Sequence, residues 1–223
     1  MKRTLPMIIA LLATLALGFA ACGGSDETTS SSEPEATPTP AAAIDSLSGD
    51  DTSVKLDAGF VEALTALKVT PGPVGTAKIT KGGDAVFPIT GGNVSYYGPD
   101  SGVNPYVQGR IEHDGSGLSL TAGGKKVELT DFVVDPGKSV LTGKVSVDGK
   151  EAAADAPLFF LDGRTLKNPI QVDEDKGTAT LTGTTVKLKQ EAADLLNQTF
   201  GIEDLKGGLV IGVATITAKL PAS

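Results

Sequence analysis

The stretch GRIEHDGSGLSLTAGGKKVELTDFVVD, residues 109–135, decides the fold. Apolar and polar residues alternate on both sides of Gly123-Gly124, which is typical of two half-buried strands joined by a hairpin turn. Val127 and Leu129 share one parity, and the apolar residues that follow have the other. A change of phase needs one extra residue, so the sequence predicts a β-bulge near Thr130-Asp131.

The same period of two extends outward from this hairpin, over about residues 74–183. A second change of phase predicts another bulge near Gly183-Thr184. There is no room for crossover helices, which excludes parallel βαβ units. The pattern predicts an all-β, mainly antiparallel fold, either a two-sheet sandwich or an open barrel built from a hairpin meander. Turn-forming residues predict turns at 81–84, 91–93, 114–115, 123–124, 135–138, 148–149, 162–163 and 175–177.

Two short helices flank the meander. Asp57 is a good N-cap for a segment with apolar residues at helical spacing, which predicts a helix over 58–67. A second apolar stripe predicts a helix over 190–200, with Gly201 as its stop. A long final strand is expected at about 209–220.

The N-terminus has the pattern of an export signal. Two basic residues precede an apolar run, and small residues precede Cys22, the single cysteine of the chain. This arrangement resembles the lipobox of bacterial lipoproteins, in which the chain is cut before the cysteine and the thiol is acylated. The alternative is an ordinary secretory signal with a chance cysteine. We expect a signal peptide at 1–21 and a lipid anchor on Cys22, which would hold the protein on the outer face of the cell membrane.

The segment 22–51 carries seven acidic residues and no basic one. It has too little apolar surface to offset the entropy of ordering it, so we expect a disordered tether. A single β domain is expected over 52–223. Residues 1–21 hold two basic and no acidic side chains, so their removal takes the formal net charge from −8 to −10. So acidic a chain repels phosphate backbones, which argues against nucleic acid as a partner.

Residues for catalysis are scarce. The chain has one histidine, His113, and its neighbours Asp114 and Ser116 lie too close along the chain to form a catalytic triad with it. One histidine and an acylated cysteine do not make a zinc site. The acidic run at 173–177 lacks the glycine and glutamate spacing of a calcium loop. We therefore expect a protein that is not an enzyme and has no resident metal ion outside a haem.

All three tyrosines of the chain lie within eleven residues. Tyr96, Tyr97 and Tyr106 flank a stretch with two prolines, the least strand-like part of the meander. Aromatic residues with a polar tip on a stiff loop are common at binding surfaces. The alternative is that they only cover one open end of the fold.

Several motifs together resemble the HtaA-type, haem-transport-associated domain of actinobacterial secreted proteins. They are Val86–Gly92, Gly109–Leu118, Val127–Phe132, Val140–Thr142 and Val186–Thr215. The resemblance implies a two-sheet antiparallel β structure with a short helix, and haem as a ligand. In haem-binding members a tyrosine near the domain start holds the iron and a Gly-His-x-Gly turn supplies a nearby histidine. His113 matches that histidine, but Glu112 replaces the preceding glycine, and the tyrosine-bearing segment is missing from the first helix.

These observations lead to a membrane-anchored, exported lipoprotein with a non-enzymatic ligand-binding domain. If haem is the ligand, its iron must be held by Tyr96, Tyr97, Tyr106 or His113, because no other suitable side chain remains in the mature chain. Two alternatives stay open, an envelope structural or adhesion protein and a carrier of a lipid-like molecule. The partner is then the membrane, through the lipid, together with an unidentified small molecule or envelope component. The sequence does not define an oligomeric state.

Overall fold

The computed structural model describes residues 38–221, apart from the side chains of 168 and 169. The signal peptide, Cys22 and residues 22–37 of the predicted tether lie outside this range. The described residues form thirteen strands, two α-helices and one 3-10 turn over Gly163–Thr165. The helices are α1 (Ala58–Ala66) and α2 (Gln190–Phe200). The strands are β1 (Ala42–Ile44), β2 (Asp50–Leu56), β3 (Thr70–Gly75), β4 (Lys78–Ile79), β5 (Asp84–Pro88), β6 (Gly91–Tyr96), β7 (Val107–Ala122), β8 (Lys125–Asp135), β9 (Val140–Val147), β10 (Lys150–Asp162), β11 (Lys167–Asp173), β12 (Thr178–Leu188) and β13 (Val210–Lys219).

All strands belong to one sheet that curls into a half-barrel. The order across the sheet is β1-β6-β7-β8-β9-β10-β12-β13-β2-β5-β4, and every pair in it is antiparallel. Strand β3 pairs with the second half of β7, and β11 pairs with the first half of β12. The predicted all-β, mainly antiparallel class with two short helices is confirmed. Of the two predicted architectures, the open barrel describes the structure, because the interior is enclosed by one continuous sheet.

Both predicted bulges are present. The register of β8 against β9 shifts between Thr130 and Val133, and Asp131 has a φ of 53°. The register of β12 against β13 shifts between Thr182 and Thr184 around Gly183, whose φ is 111°. Each bulge returns the following apolar residues to the inner face, as the change of parity in the sequence required.

Two of the predicted turns are wrong. Residues 91–93 form the start of β6 and pair with β7, and the chain does not turn at Asp114-Gly115. Strand β7, 16 residues long, continues through Asp114-Gly115 without reversing direction, and its register against β8 shifts between His113 and Gly117. The extra residues form a bulge opposite the bulge of β8, and the amide of Gly115 donates to Asp131 Oδ1 at 2.9 Å. When a side chain accepts a hydrogen bond from their backbone amides in this way, residues typical of turns bend a strand and do not reverse it.

The helices close one end of the half-barrel. The side chain of Asp57 accepts hydrogen bonds from the first-turn amides of α1, and Gly201 ends α2 in the left-handed conformation, as the sequence predicted. Leu64 of α1 and Leu196 of α2 are buried against the inner face of the sheet. None of the helices among residues 38–221 is long and apolar enough to cross a membrane.

The folded domain begins before the predicted boundary at residue 52. Strand β1 pairs with β6, and the amide of Leu47 donates to the carbonyl of Gly92 at 2.8 Å. Ile44 and Leu47 are buried, at 8% and 4% exposure. Part of the stretch predicted as a tether, residues 42–51, thus packs on the sheet edge through Ile44 and Leu47.

Candidate functional site

Two apolar cavities adjoin on the inner face of the half-barrel. We call them the Tyr106 cavity and the Tyr96 cavity, and each has a volume of about 290 Å³. Both are lined by Ile111, Leu181 and Ile216, so the cavities share these three side chains as a common wall. Their combined size falls in the range of small-molecule sites.

These cavities lie away from the helices. Strand β7 contributes Val107 and Ile111 to the Tyr106 cavity, whereas its residues Leu118 and Leu120 line a separate cavity of about 170 Å³ beneath α1 and α2, the helix cavity. The two regions thus occupy opposite halves of the same strand. The half-barrel is closed by helices at one end and holds the Tyr106 and Tyr96 cavities at the other.

Two of the predicted site tyrosines come together at these cavities. Tyr96 ends β6 opposite Val107 and lines the Tyr96 cavity, while Tyr106 lines the Tyr106 cavity. Their rings make an edge-to-face contact with centroids 5.8 Å apart, and the amide of Tyr97 donates to the carbonyl of Tyr106 at 2.8 Å. This backbone hydrogen bond continues the β6–β7 pairing and joins the two ends of the loop between Tyr97 and Tyr106. Burial raises the pKa of the Tyr96 hydroxyl, and the neighbouring Tyr106 and Asp100 add to that effect.

Tyr97 does not share this position. Tyr97 lies just beyond the end of β6, and its side chain is partly buried. It lines neither of the two cavities.

The structure places His113 elsewhere, in the packed core. The side chain is 1% exposed and lines a small cavity of about 70 Å³ that neither Tyr96 nor Tyr106 reaches. Its Nδ1 lies 2.9 Å from the carbonyl of Pro88, and its Nε2 lies 3.2 Å from Thr52 Oγ1. A carbonyl can only accept, so Nδ1 carries the proton and Nε2 accepts from the threonine. Both nitrogens are used, and this arrangement leaves none for an iron atom.

Burial also keeps the His113 ring neutral. Desolvation lowers the pKa of the imidazole, and hydrogen bonds to the carbonyls of Pro88 and Phe87 oppose this only in part. Ser116, which is also buried, donates its hydroxyl to the main-chain carbonyl of His113 at 3.0 Å and not to the ring. The hydroxyl thus stabilises the bulge of β7, and the geometry is not that of a catalytic pair.

A charged cluster at the edge of the Tyr106 cavity was missed by the sequence analysis. Asp162 is 4% exposed and accepts two hydrogen bonds at 2.8 Å from Nε and Nη2 of Arg164. It also accepts one at 3.0 Å from Nζ of Lys187 on β12. The Arg164 and Lys187 hydrogen bonds hold the pKa of the Asp162 carboxyl far below its usual range. In the sequence Asp162-Gly163 indicates only a turn, and nothing there points to Lys187, 25 residues later.

The bulge at Gly183 holds this cluster in place. The hydroxyl of Thr165 lies within hydrogen-bonding distance of the carbonyls of Asp162 and Gly183, and it accepts from the amide of Thr185 at 2.9 Å. A Cβ on Gly183 would lie 2.7 Å from the carbonyl oxygen of Thr165, so only glycine permits so close an approach. The turn that carries Arg164 is thereby fixed to β12.

The donor groups at the cavities suit a haem better than a bare metal ion. The described residues hold no group of three or more histidine, cysteine, aspartate or glutamate side chains that could bind a metal ion. Tyr96 and Tyr106 place two phenol groups beside walls of aliphatic side chains. A phenolate is one of the side-chain groups that hold haem iron in proteins, and an apolar pocket suits a macrocycle.

Comparison with known proteins bears on the fold. No protein-family model and no curated protein matches this chain. The C-terminal domain of HtaA from Corynebacterium glutamicum superposes with a TM-score of 0.52 at 12% identity, over 79% of this chain and 99% of that domain. Heme binding protein HtaB from the same organism superposes with a TM-score of 0.48 at 11% identity, over 80% of this chain and 96% of that one. The resemblance to HtaA-type domains is thus confirmed at the level of the fold.

Proposed function

We propose that this protein is an exported binding protein that takes up haem, or a molecule of similar shape and polarity, at the Tyr106 and Tyr96 cavities. The observation that carries the proposal is the contact between Tyr96 and Tyr106 at two adjoining apolar cavities, about 290 Å³ each. The HtaA-type fold supports the proposal, because haem is the ligand that the resemblance implies.

The chain would contribute an apolar enclosure and one iron ligand. Ile111, Leu181 and Ile216 would contact the ligand and exclude water from it. When bound, haem supplies a ferric iron that a phenolate oxygen can hold. The raised pKa of Tyr96 keeps its phenol protonated in the empty protein, and a nearby iron would favour loss of that proton. Either Tyr96 or Tyr106 can serve as the ligand, and His113 cannot in this arrangement.

A haemin titration of the domain tests this proposal. Binding to wild type should give a sharpened Soret band, together with the charge-transfer bands of a ferric phenolate. Tyr96→Phe or Tyr106→Phe should abolish the phenolate bands, while Tyr97→Phe should leave them unchanged because Tyr97 lines neither cavity. The proposal would be contradicted by a Soret band no sharper than that of free haemin. Phenolate bands that persist in both Tyr96→Phe and Tyr106→Phe would also contradict it.

A carrier of lipid-like molecules is the second candidate, because the same cavities are almost wholly apolar. A long-chain fatty acid that binds with high affinity, in the absence of haemin binding, would favour it. If neither ligand binds, the envelope or adhesion function is the one left. The protein is proposed to act on the outer face of the membrane, attached through the lipid on Cys22.

A further inference from the structure

We infer that Arg164 makes the Tyr106 cavity selective for a ligand that joins a large apolar body to a carboxylate. This inference rests on the proposed function and adds the polar group that the ligand must carry. Among the residues that the structure describes, Asp162 and Arg164 are the charged ones that line the cavity. The other described wall residues are uncharged, so the charge on the wall comes from this pair, with Lys187 bound behind it.

The cluster has a surplus of positive charge. Arg164 and Lys187 together bind the single carboxylate of Asp162, which leaves a net charge of +1. The nearby turn that carries Pro136 and Ser139 adds no net charge, since Asp135 and Lys138 pair with each other at 3.0 Å. In a chain whose formal net charge is −8, this edge of the cavity is therefore locally attractive to an anion.

Arg164 is also oriented before any ligand arrives. Asp162 binds the guanidinium through Nε and Nη2, and Nη1 donates to no other described residue. The Arg164 side chain is 83% exposed, so a ligand can reach it. One carboxylate already fixes the orientation of this guanidinium. It can therefore donate hydrogen bonds to a second carboxylate with little further loss of side-chain entropy. The apolar part of the same ligand would lie among Ile111, Leu181 and Ile216.

Two kinds of molecule share this chemistry. A porphyrin such as haem carries two propionates on an apolar macrocycle, and a fatty acid carries one carboxylate on an apolar chain. Esterification removes the negative charge of either molecule and leaves the apolar part almost unchanged. The ratio of acid affinity to ester affinity therefore measures recognition of the carboxylate and cancels differences in apolar burial.

The experiment compares two acid and ester pairs by fluorescence or calorimetric titration. The first pair is protoporphyrin IX and its dimethyl ester, which contain no iron and so do not depend on Tyr96 or Tyr106 as iron ligands. The second pair is palmitate and methyl palmitate. Wild type should bind the acid of the accepted pair about twofold to fivefold more tightly than its ester, the range expected for one exposed charged contact. The pair that shows binding identifies the source of the carboxylate.

Three variants decide whether Arg164 is responsible. Arg164→Gln should reduce the acid-to-ester ratio to about one and leave ester affinity unchanged. Arg164→Lys should keep part of the preference, because it retains the charge. Arg110→Gln is the matched control, since Arg110 is also an exposed arginine paired with a carboxylate, that of Glu112, but does not line the cavity.

The outcomes separate this inference from the function on which it rests. If haemin binds with the phenolate bands but Arg164→Gln leaves the acid-to-ester ratio of every bound pair unchanged, the inference is wrong and the haem proposal stands. If no porphyrin binds but palmitate shows the Arg164-dependent ratio, haem is wrong and carboxylate recognition stands. If neither pair binds, both proposals fail together.

Discussion

Thr52 Oγ1 on β2 lies 3.2 Å from Nε2 of His113 on β7, and both side chains are buried. These strands are far apart in the order of the sheet, so the hydrogen bond crosses the interior of the half-barrel. The other ring nitrogen of His113 donates to Pro88 on β5, next to β2. The single histidine of the chain therefore fastens one side of the curled sheet to the other.

Removing the threonine hydroxyl should weaken this closure. In Thr52→Val the buried Nε2 of His113 loses its donor, and we expect the free energy of unfolding to fall by about 1–3 kcal/mol. Urea denaturation at pH 7.5 measures the change. Thr217→Val is a suitable control, because the Thr217 hydroxyl is only partly buried and lies 3.5 Å from that of Thr180. Equal stability of the two variants would show that the hydrogen bond contributes nothing.

His113 should also make stability depend on pH. Its pKa is lowered from the ordinary 6.5, so the unfolded chain binds a proton at a higher pH than the folded protein does. Stability is therefore complete above about pH 6.5 and is lost as the pH falls from there toward the folded pKa, by at most about 1.4 kcal/mol per pH unit.

Urea midpoints between pH 7.5 and 5.5 test this, because His113 is the only histidine. The slope should be absent in His113→Asn. If that variant does not fold, the imidazole NMR signal of wild type replaces it, and this signal should stay in its neutral position well below pH 6.5. Titration of the signal near pH 6.5 would contradict the prediction.

Asp162→Asn should destabilise the protein at neutral pH. The change removes the negative charge that pairs with both Arg164 and Lys187 and replaces one acceptor oxygen by a donor, and Lys187 is only 29% exposed. Because the folded pKa of Asp162 is depressed, its contribution is present above the unfolded value near 3.8 and is lost only at lower pH. The difference in urea midpoint between wild type and variant should thus shrink below about pH 4. Asp173→Asn, at an exposed turn where Asp173 binds Lys176, should have the smaller effect at pH 7.

Leu196→Ala should enlarge the helix cavity and detach α2 from the sheet. The side chain is 4% exposed and lines that cavity of about 170 Å³ together with Leu64. Loss of a buried leucine should lower the free energy of unfolding by about 2–5 kcal/mol, measured by urea denaturation. Val61 on α1 is 46% exposed, so Val61→Ala should change the free energy of unfolding by less than about 0.5 kcal/mol. If Leu196→Ala lost haemin binding but kept the stability of wild type, the ligand would bind in the helix cavity and not in the Tyr106 and Tyr96 cavities.

The lipid anchor is tested in cells. Cys22→Ser should move the protein from the membrane fraction into the medium, or leave an unprocessed precursor, because serine provides no thiol for acylation. Fractionation and the mass of the mature N-terminus measure this. Normal processing with continued membrane attachment would mean that Cys22 is not the anchor.

Local patterns in the sequence determined the elements of the fold. Alternation of apolar and polar residues defined the strands, and the two changes of parity located the bulges at Asp131 and Gly183. Asp57 marked the beginning of α1, and Gly201 marked the end of α2. These features are local because a strand face, a bulge and a cap each depend on residues within a few positions of one another.

The tertiary structure alone decided which side chains meet. Tyr96 contacts Tyr106, whereas His113, which is closer to Tyr106 in sequence, lies in the core and is hydrogen-bonded to Pro88 and Thr52. Asp162 and Lys187 meet because β10 and β12 are neighbours in the sheet. Such contacts depend on the register and curl of the whole sheet, which no short stretch of sequence specifies.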